Sequence, residues 1–447
     1  MAVAAGGVDA FVSHFQSLEQ AMERGGRGWR LETRRAAIRR FAELGFPTTK
    51  DEEWKYTNVA PIARTAFRPA AARDPHGVIE ERLEPFTFGV LKCTQLVFVN
   101  GHHSPRLSWR RSLPAGVRVA SLAEAYRDDP GALQALGRLV PFESEPFTAL
   151  NTAFFQDGAL VDVPPGTALE EPVHLLFLSS AGVEPIASFP RNLIRLGERS
   201  RATVIETYAA LDGAPYFTDA VTEIALGPEA VLDHYKLQRE GENAFHVART
   251  EVLQERASNL ASSNFDLGGA LVRNDTNTKF AGEGGELAMN GLYMLAGKQH
   301  VDNHTRIDHA APSCASAELY KGILDGASRG IFNGKIFVRK EAQKTVARQT
   351  NKNLLLSKGA FVDSTPGLMI LADDVKCNHG STIGQLSDDA LFYMRSRGID
   401  EAAARNMLTF AFAGEMINRV KVAPMRVKVN EMVVRRLPYG HAAREDL

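Results

Sequence analysis

Apolar residues recur along this chain with two different periods, and the period changes twice. Near the start, Phe11, Phe15, Leu18 and Met22 follow at steps of four, three and four, the spacing of one helical face. Asp9 stands where a cap is expected, and Gly25 and Gly26 stand where the helix should stop. Ala37, Ile38, Phe41 and Leu44 predict a second helix between Arg-rich flanks, halted by Gly45 and Pro47. A polar stretch, TTKDEEWKYTNVAPI, follows around Trp54 and Tyr56. A short strand is expected from Gln95 to Asn100, and a helical piece after Pro130. Residues 1–145 therefore read as an N-terminal helical, α+β region that ends near Pro141 to Pro146.

Within residues 146–384 the helical period gives way to short β-rich runs broken by Gly, Asn and Asp, among them ALVDVPPG, VHLLFLSS, RATVIETYAA and GIFNGKIFVRK. Several stretches open alike, at 197–202, 227–230, 282–288 and 359–361, with irregular spacing. Coils that each bury a face against the next would leave such loose self-similarity. The pattern is compatible with a β-helix, and a jelly-roll is the rival.

Residues 385–447 return to helix. Ser387 is an N-cap candidate, with Asp388 and Asp389 in the first turn, Leu391 and Met394 on an apolar face, and Gly398 as the stop. Asp400 caps a second helix running to about Val420. It carries two apolar stripes: Met407, Phe410, Gly414 and Ile417, and Ala404, Leu408, Ala411 and Phe412. A helix apolar on two sides needs cover on both, from core or from a partner. A last amphipathic piece follows Pro424.

Composition narrows the function classes. Lys plus Arg number 52 against 53 for Asp plus Glu, so no general charge excess favours nucleic acid or an anionic membrane. No apolar run approaches the roughly 20 residues of a membrane span, and the N-terminus lacks the pattern of a secretory or transit signal. The expected compartment is the cytoplasm. Three cysteines, Cys93, Cys314 and Cys377, exclude a disulfide framework. They also fall short of the four thiolates of an all-Cys iron–sulfur site.

Two constellations could carry chemistry. On a strand over 299–309, His300, Asp302, His304, Arg306 and Asp308 share one face. That face could bind metal, or could be solvated and pair as Asp302–Arg306 or Arg306–Asp308. In the second, Cys377 and His379 stand two apart, so an extended strand points both the same way; thiolate beside imidazole suits iron, zinc or copper. The bland alternative is a buried Cys and a hydrogen-bonded His beside a turn at Gly380. A phosphate-loop hint at Gly330 to Lys335 fails, because its glycine spacing is short and Ile336 stands where Ser or Thr is needed.

The run from Asn277 to Val420, most specifically CNHGSTIGQLSDDALFYMRSRGI, resembles the SufB/SufD family of the SUF iron–sulfur cluster assembly system. KDEEWKYT, NTAFFQDGALVDVPPG and EEPVHLLF resemble its SufD branch. The resemblance implies a mainly β fold: a right-handed parallel β-helix core flanked by an α/β N-terminal region and a helical C-terminal region. It further implies a non-enzymatic scaffold that pairs with a SufB-like paralogue and docks the ATPase SufC, which hydrolyses the ATP. No cofactor is expected to be held permanently. Iron or a nascent cluster would bind transiently at the SufB interface, where the resemblance places His379 and, beside it, Cys377. The SufC-docking edge falls on Phe392, Tyr393, Arg395 and Arg397. Asn351 stands where SufB has its cluster-building Cys, and Gly380 where SufB has Glu, which disfavours a SufB-type role. A purely architectural partner, with His and Cys merely packed, and a homodimer of the isolated chain remain as alternatives. A polysaccharide-cleaving β-helix enzyme is disfavoured by the 8% aromatic content and the lack of an export signal.

Overall fold

The computed structural model describes residues 7–24, 30–70, 78, 80–182 and 184–438. The protein is mainly β, 40% strand against 25% helix, and its centre is a β-solenoid of about eight turns. Each turn contributes one strand to an eleven-stranded sheet and one to a ten-stranded sheet. Equivalent residues of successive coils lie side by side: Leu271 opposite His300, His300 opposite Arg329, and Arg329 opposite Phe361, all in parallel register.

Alternation along each strand produces this shape. In His300–His309, Val301 and Ile307 turn into the lumen between the sheets and join a core built from every coil. Repetition stacks like on like. The rings of Phe98, Phe177 and Tyr208 are neighbours in register, with centroids 4.8 Å apart at both steps, the spacing of paired strands. In the middle coils the lumen turns polar: His234 meets Glu206 at 2.9 Å, His246 meets Glu240 at 2.7 Å, and Lys236 donates to Asn274 at 2.6 Å.

At one corner every coil before the last uses a left-handed residue: Gly166, Arg199, Glu229, Ala257, Gly284, Ser313 and Lys344. Each of their amides donates to a carbonyl in the next coil, from Gly166 to Glu198 (2.7 Å) through to Lys344 to Asp374 (2.6 Å). For the non-glycine members the conformation costs about 1 kcal/mol or more each, and it persists because the ladder bonds fix it. The similar openings at 197–202, 227–230 and 282–288 belong to this corner, whereas 359–361 belongs to the opposite one. Close stacking explains Gly282, where a Cβ would meet the Arg256 amide nitrogen at 2.2 Å.

The N-terminal helices α1 (Val8–Arg24) and α2 (Leu31–Leu44) bury the predicted Phe11, Phe15, Ala37, Ile38 and Phe41, while Met22 and Leu44 at their C-terminal ends stay half-buried. The expected cap is corrected: α1 starts at Val8, so Asp9 sits inside its first turn, where its charge suits the helix N-terminus. The stop at Gly25 and Gly26 lies outside the described residues. Gly45, at φ 68°, ends α2 as expected. After the short helices α3 (Ala60–Arg64) and α4 (Leu122–Asp128) comes α5 (Pro146–Phe154), which packs on α2 and contributes Phe154 to an aromatic cluster with Phe11, Phe41 and Phe189. The strand Thr94–Val99 prolongs the ten-stranded sheet by pairing with Val173–Ser179.

The C-terminal helices α6 (Asp388–Ser396), α7 (Glu401–Ile417) and α8 (Ala423–Arg435) begin as read, with Ser387 and Asp400 accepting the first amides of α6 and α7. Helices α7 and α8 cover the outer face of the ten-stranded sheet, joining Tyr235, Phe265 and Leu292. The stripes read for α7 need correction. Its buried residues are Ala404, Asn406, Thr409, Ala413, Met416 and Ile417, while Met407 and Ala411 are exposed. Two polar side chains, Asn406 and Thr409, lie on the packed face, so counting apolar residues rotated the stripe. Lys321 anchors the helix by donating to the Phe412 carbonyl (3.0 Å) and pairing with Glu415 (2.6 Å).

Candidate functional site

The solenoid's last coil consists of Phe361–Ile370 and Lys376–Gly384. Each pairs on one side only, with Arg329–Val338 and Val346–Leu355 respectively. Among the described residues their other edges carry no strand, so the backbone there offers unused ladder positions. Register fixes what the coil presents. Ala347, Gln349, Asn351 and Asn353 face the lumen and are buried; their neighbours in the last coil are Cys377, His379, Ser381 and Ile383. The same face that is core one coil earlier opens outward here.

Cys377 and His379 are therefore brought together on one face, as the sequence spacing requires. Cys377 is half-buried beside Ala347, and burial pushes its thiol up, so it is protonated at neutral pH. His379 is exposed. Beneath it in register lies Gln349, which donates to Glu318 at 2.7 Å; burial pushes the Glu318 carboxyl up to about 7. Beside it a hydrogen-bonded column reaches the surface. Ser381 donates to Ser364 (2.8 Å), and Ser364 to Asn351 (2.7 Å). Asn353 also donates to Asn351 (2.6 Å), and Tyr293 donates to Asn353 (2.5 Å). The column escaped the sequence reading, because its members come from four different strands. Gly380 has open space around the position of a Cβ. Apolar side chains rim the opening: Phe361, Met369, Ile370, Leu371 and Ile383, all exposed.

Two ligand-type side chains do not complete a metal site. Among the described residues no group of three or more His, Cys, Asp and Glu is arranged to hold an ion. This includes the face His300 to Asp308, where neither pairing along the strand occurs. Asp302 pairs with Arg273 at 2.6 Å and with His304 at 3.1 Å, Asp308 pairs with Arg339 at 2.6 Å, and Arg306 lies over the Phe337 ring. Asp302 thus pairs both along its strand, with His304, and across coils, with Arg273 at the same position one coil away, about 4.8 Å off. The KDEEWKYT segment covers this face. Trp54 packs under the Arg273 guanidinium, Thr57 donates to Asp302, and Glu53 meets His304 at 3.5 Å. Burial would raise Asp302, but Arg273 and His304 outweigh it and hold the carboxyl well below its usual range.

The second predicted group lies on α6, which rests on α7 through Leu391 and turns the opposite side to solvent. Phe392 is 74% and Tyr393 59% exposed, more than any residue of a packed face. Arg397 stacks on Tyr393 at 5.2 Å, and Arg395 faces Glu401 at 3.6 Å.

A parallel β-solenoid with helices along one sheet and, among the described residues, one end left uncapped defines the structural class of this protein. Comparison places it within that class. Residues 177–412 match the family model for the SUF system FeS cluster assembly, SufBD core domain, and residues 8–175 match that for the SufBD protein N-terminal region. The chain is 34% identical over 405 residues to the iron–sulfur cluster assembly protein SufD of Escherichia coli strain K12, covering 90% of this chain and 92% of that one. It is 34% identical over 411 residues to an iron–sulfur cluster assembly SufBD family protein of Synechocystis, covering 90% and 89%. A SufBD family protein of Mycobacterium tuberculosis is 30% identical over 287 residues, covering 62% and 71%. The chain belongs to the SufBD family of iron–sulfur cluster assembly proteins. Among the described residues no helix is long and apolar enough to cross a membrane.

Proposed function

We propose that this chain is a SufD-type scaffold subunit of a cytoplasmic iron–sulfur assembly complex, pairing with a SufB-like paralogue at the open end of the solenoid. One observation carries the reading: His379 stands exposed on an edge strand whose backbone can accept a second chain. Iron or the nascent cluster is cargo at that junction. This chain supplies the His379 imidazole and, after proton loss, the Cys377 thiolate; the partner supplies the remaining ligands, because two side chains cannot close a cluster site. The helical edge Phe392, Tyr393, Arg395 and Arg397 docks the ATPase SufC, and the chemistry of ATP belongs to that subunit.

The test is anaerobic reconstitution with SufB and SufC homologues. His379→Ala should lower iron and sulfide bound to the intact complex, and unchanged content would refute the ligand role. A second reading, in which this chain shapes the junction without touching metal, draws on the raised Cys377 thiol. It requires Cys377→Ser and His379→Ala to leave both iron content and subunit stoichiometry unaltered.

A further inference from the structure

Away from the last coil, a cavity of about 40 Å³ lies between α2, α5 and the strand Arg191–Leu196. At ~10–15 Å³ per water it has room for about three, the bulk of one tetrahedral oxyanion. Three guanidiniums line it, from Arg30, Arg34 and Arg191, together with the hydroxyl-bearing Thr33 and Thr152. Arg34 and Arg191 are each 1% exposed. Among the described residues Glu223 is the carboxylate that faces them, and much of its capacity is committed: it accepts from Arg191 (2.8 Å) and from the amides of Gly137 (2.7 Å) and Leu139 (3.1 Å). Arg30 donates to the Leu133 carbonyl (2.7 Å), and Arg34 to that of Ala153 (3.1 Å) while lying over the Phe155 ring.

Like charges gathered in a buried space oppose one another unless an anion joins them. Burial first, and then Arg30 and Arg191, push the Arg34 guanidinium down to about 9. The three cations also come from two separate parts of the chain. Two stand on or beside the first turn of α2, and one stands on a solenoid strand, so no single element's need for solubility explains the cluster.

We propose that this cavity binds one inorganic tetrahedral oxyanion, phosphate or sulfate, which ties the N-terminal helices to the early coils of the solenoid. The ligand is bare: a nucleoside or sugar attached to the phosphoryl group exceeds the available volume. Thr33 and Thr152 add hydroxyl donors to the guanidinium forks, the donor set that suits such an anion.

Equilibrium dialysis of the full chain against radiolabelled inorganic phosphate at constant ionic strength tests this. The expected result is one phosphate per chain, displaced by sulfate and not by adenosine monophosphate. Arg30→Gln, which alters the half-buried member of the trio, should weaken binding by about tenfold or more through loss of a charge-assisted contact, with the circular dichroism spectrum unchanged. Should that variant fail to fold, Thr33→Val makes the same comparison and should also weaken binding. No retention at millimolar phosphate overturns the proposal. So does equal retention by the folded variants, or equal displacement by the nucleotide. Cluster assembly is not part of the readout, so the outcome is independent of the role at His379.

Discussion

Glu53 and His304 lie far apart in the chain, yet together they close the strap of residues 48–57 over the eleven-stranded sheet. The His304 contact, ahead of Lys335, holds the Glu53 carboxyl down to about 2. Burial opposes charge on His304, but Asp302 and Glu53 outweigh it and raise the imidazole above its ordinary value. The signs follow. The contribution of His304 is complete below about pH 6.5 and is lost as pH rises through its higher folded-state value. That of Glu53 is present above about pH 4.3 and is lost as pH falls toward 2. The strap is therefore strongest between those limits. Urea unfolding of the wild type and of His304→Asn should show a stability gap that narrows from pH 6 toward pH 8.5; a gap independent of pH would show that the clamp contributes nothing. At this scale the sequence told which side chains share a strand face, but not what they touch. His300 to Asp308 looked like a ligand set because spacing along one strand is visible in the sequence, whereas Arg273 and Glu53 arrive from other coils and from the N-terminal strap.

Helix α6 shows how a short element can be legible and still incomplete. Its cap at Ser387, its acidic first turn and its stop at Gly398 were all written locally, because capping depends on residues within one turn. Which face of α7 would be buried was not, since Asn406 and Thr409 pack by position in spite of polarity. The exposed pair Phe392 and Tyr393 contributes little to the fold of this subunit. If this edge docks SufC as proposed, replacing both with Asp should leave the melting temperature nearly unchanged and abolish co-purification of the SufC homologue; retained co-purification would refute the proposed docking. Changing Leu391, by contrast, would loosen α6 from α7 and confound the two effects.

For the whole molecule, the sequence supplied a mainly β body between helical ends, and the resemblance supplied the solenoid. Periodicity alone could not choose between a solenoid and a jelly-roll. Both alternate inward and outward residues, and parallel register across coils is a long-range property with no local mark. The uncapped end is likewise invisible strand by strand: nothing within 376–384 marks that, among the described residues, no coil lies beyond it. Ile383, 48% exposed on that edge, gives a global test. A charge there disfavours strand addition. If a SufB-like paralogue joins this edge as proposed, Ile383→Lys should keep the thermal transition and lose co-purification with that paralogue. Association equal to wild type would show that the subunits meet on another face.

The corner ladder from Gly166 to Lys344 gives the molecule a unit of growth. Its rungs stay in register although successive left-handed positions lie from 27 residues (257 to 284) to 33 residues (166 to 199) apart, so differences in coil length are taken up elsewhere in the coil. A complete coil inserted or excised would leave each surviving rung with an equivalent mate. Evolution or engineering can thus slide the opening nearer to the N-terminal helices, or farther from them, only in jumps of about 4.8 Å.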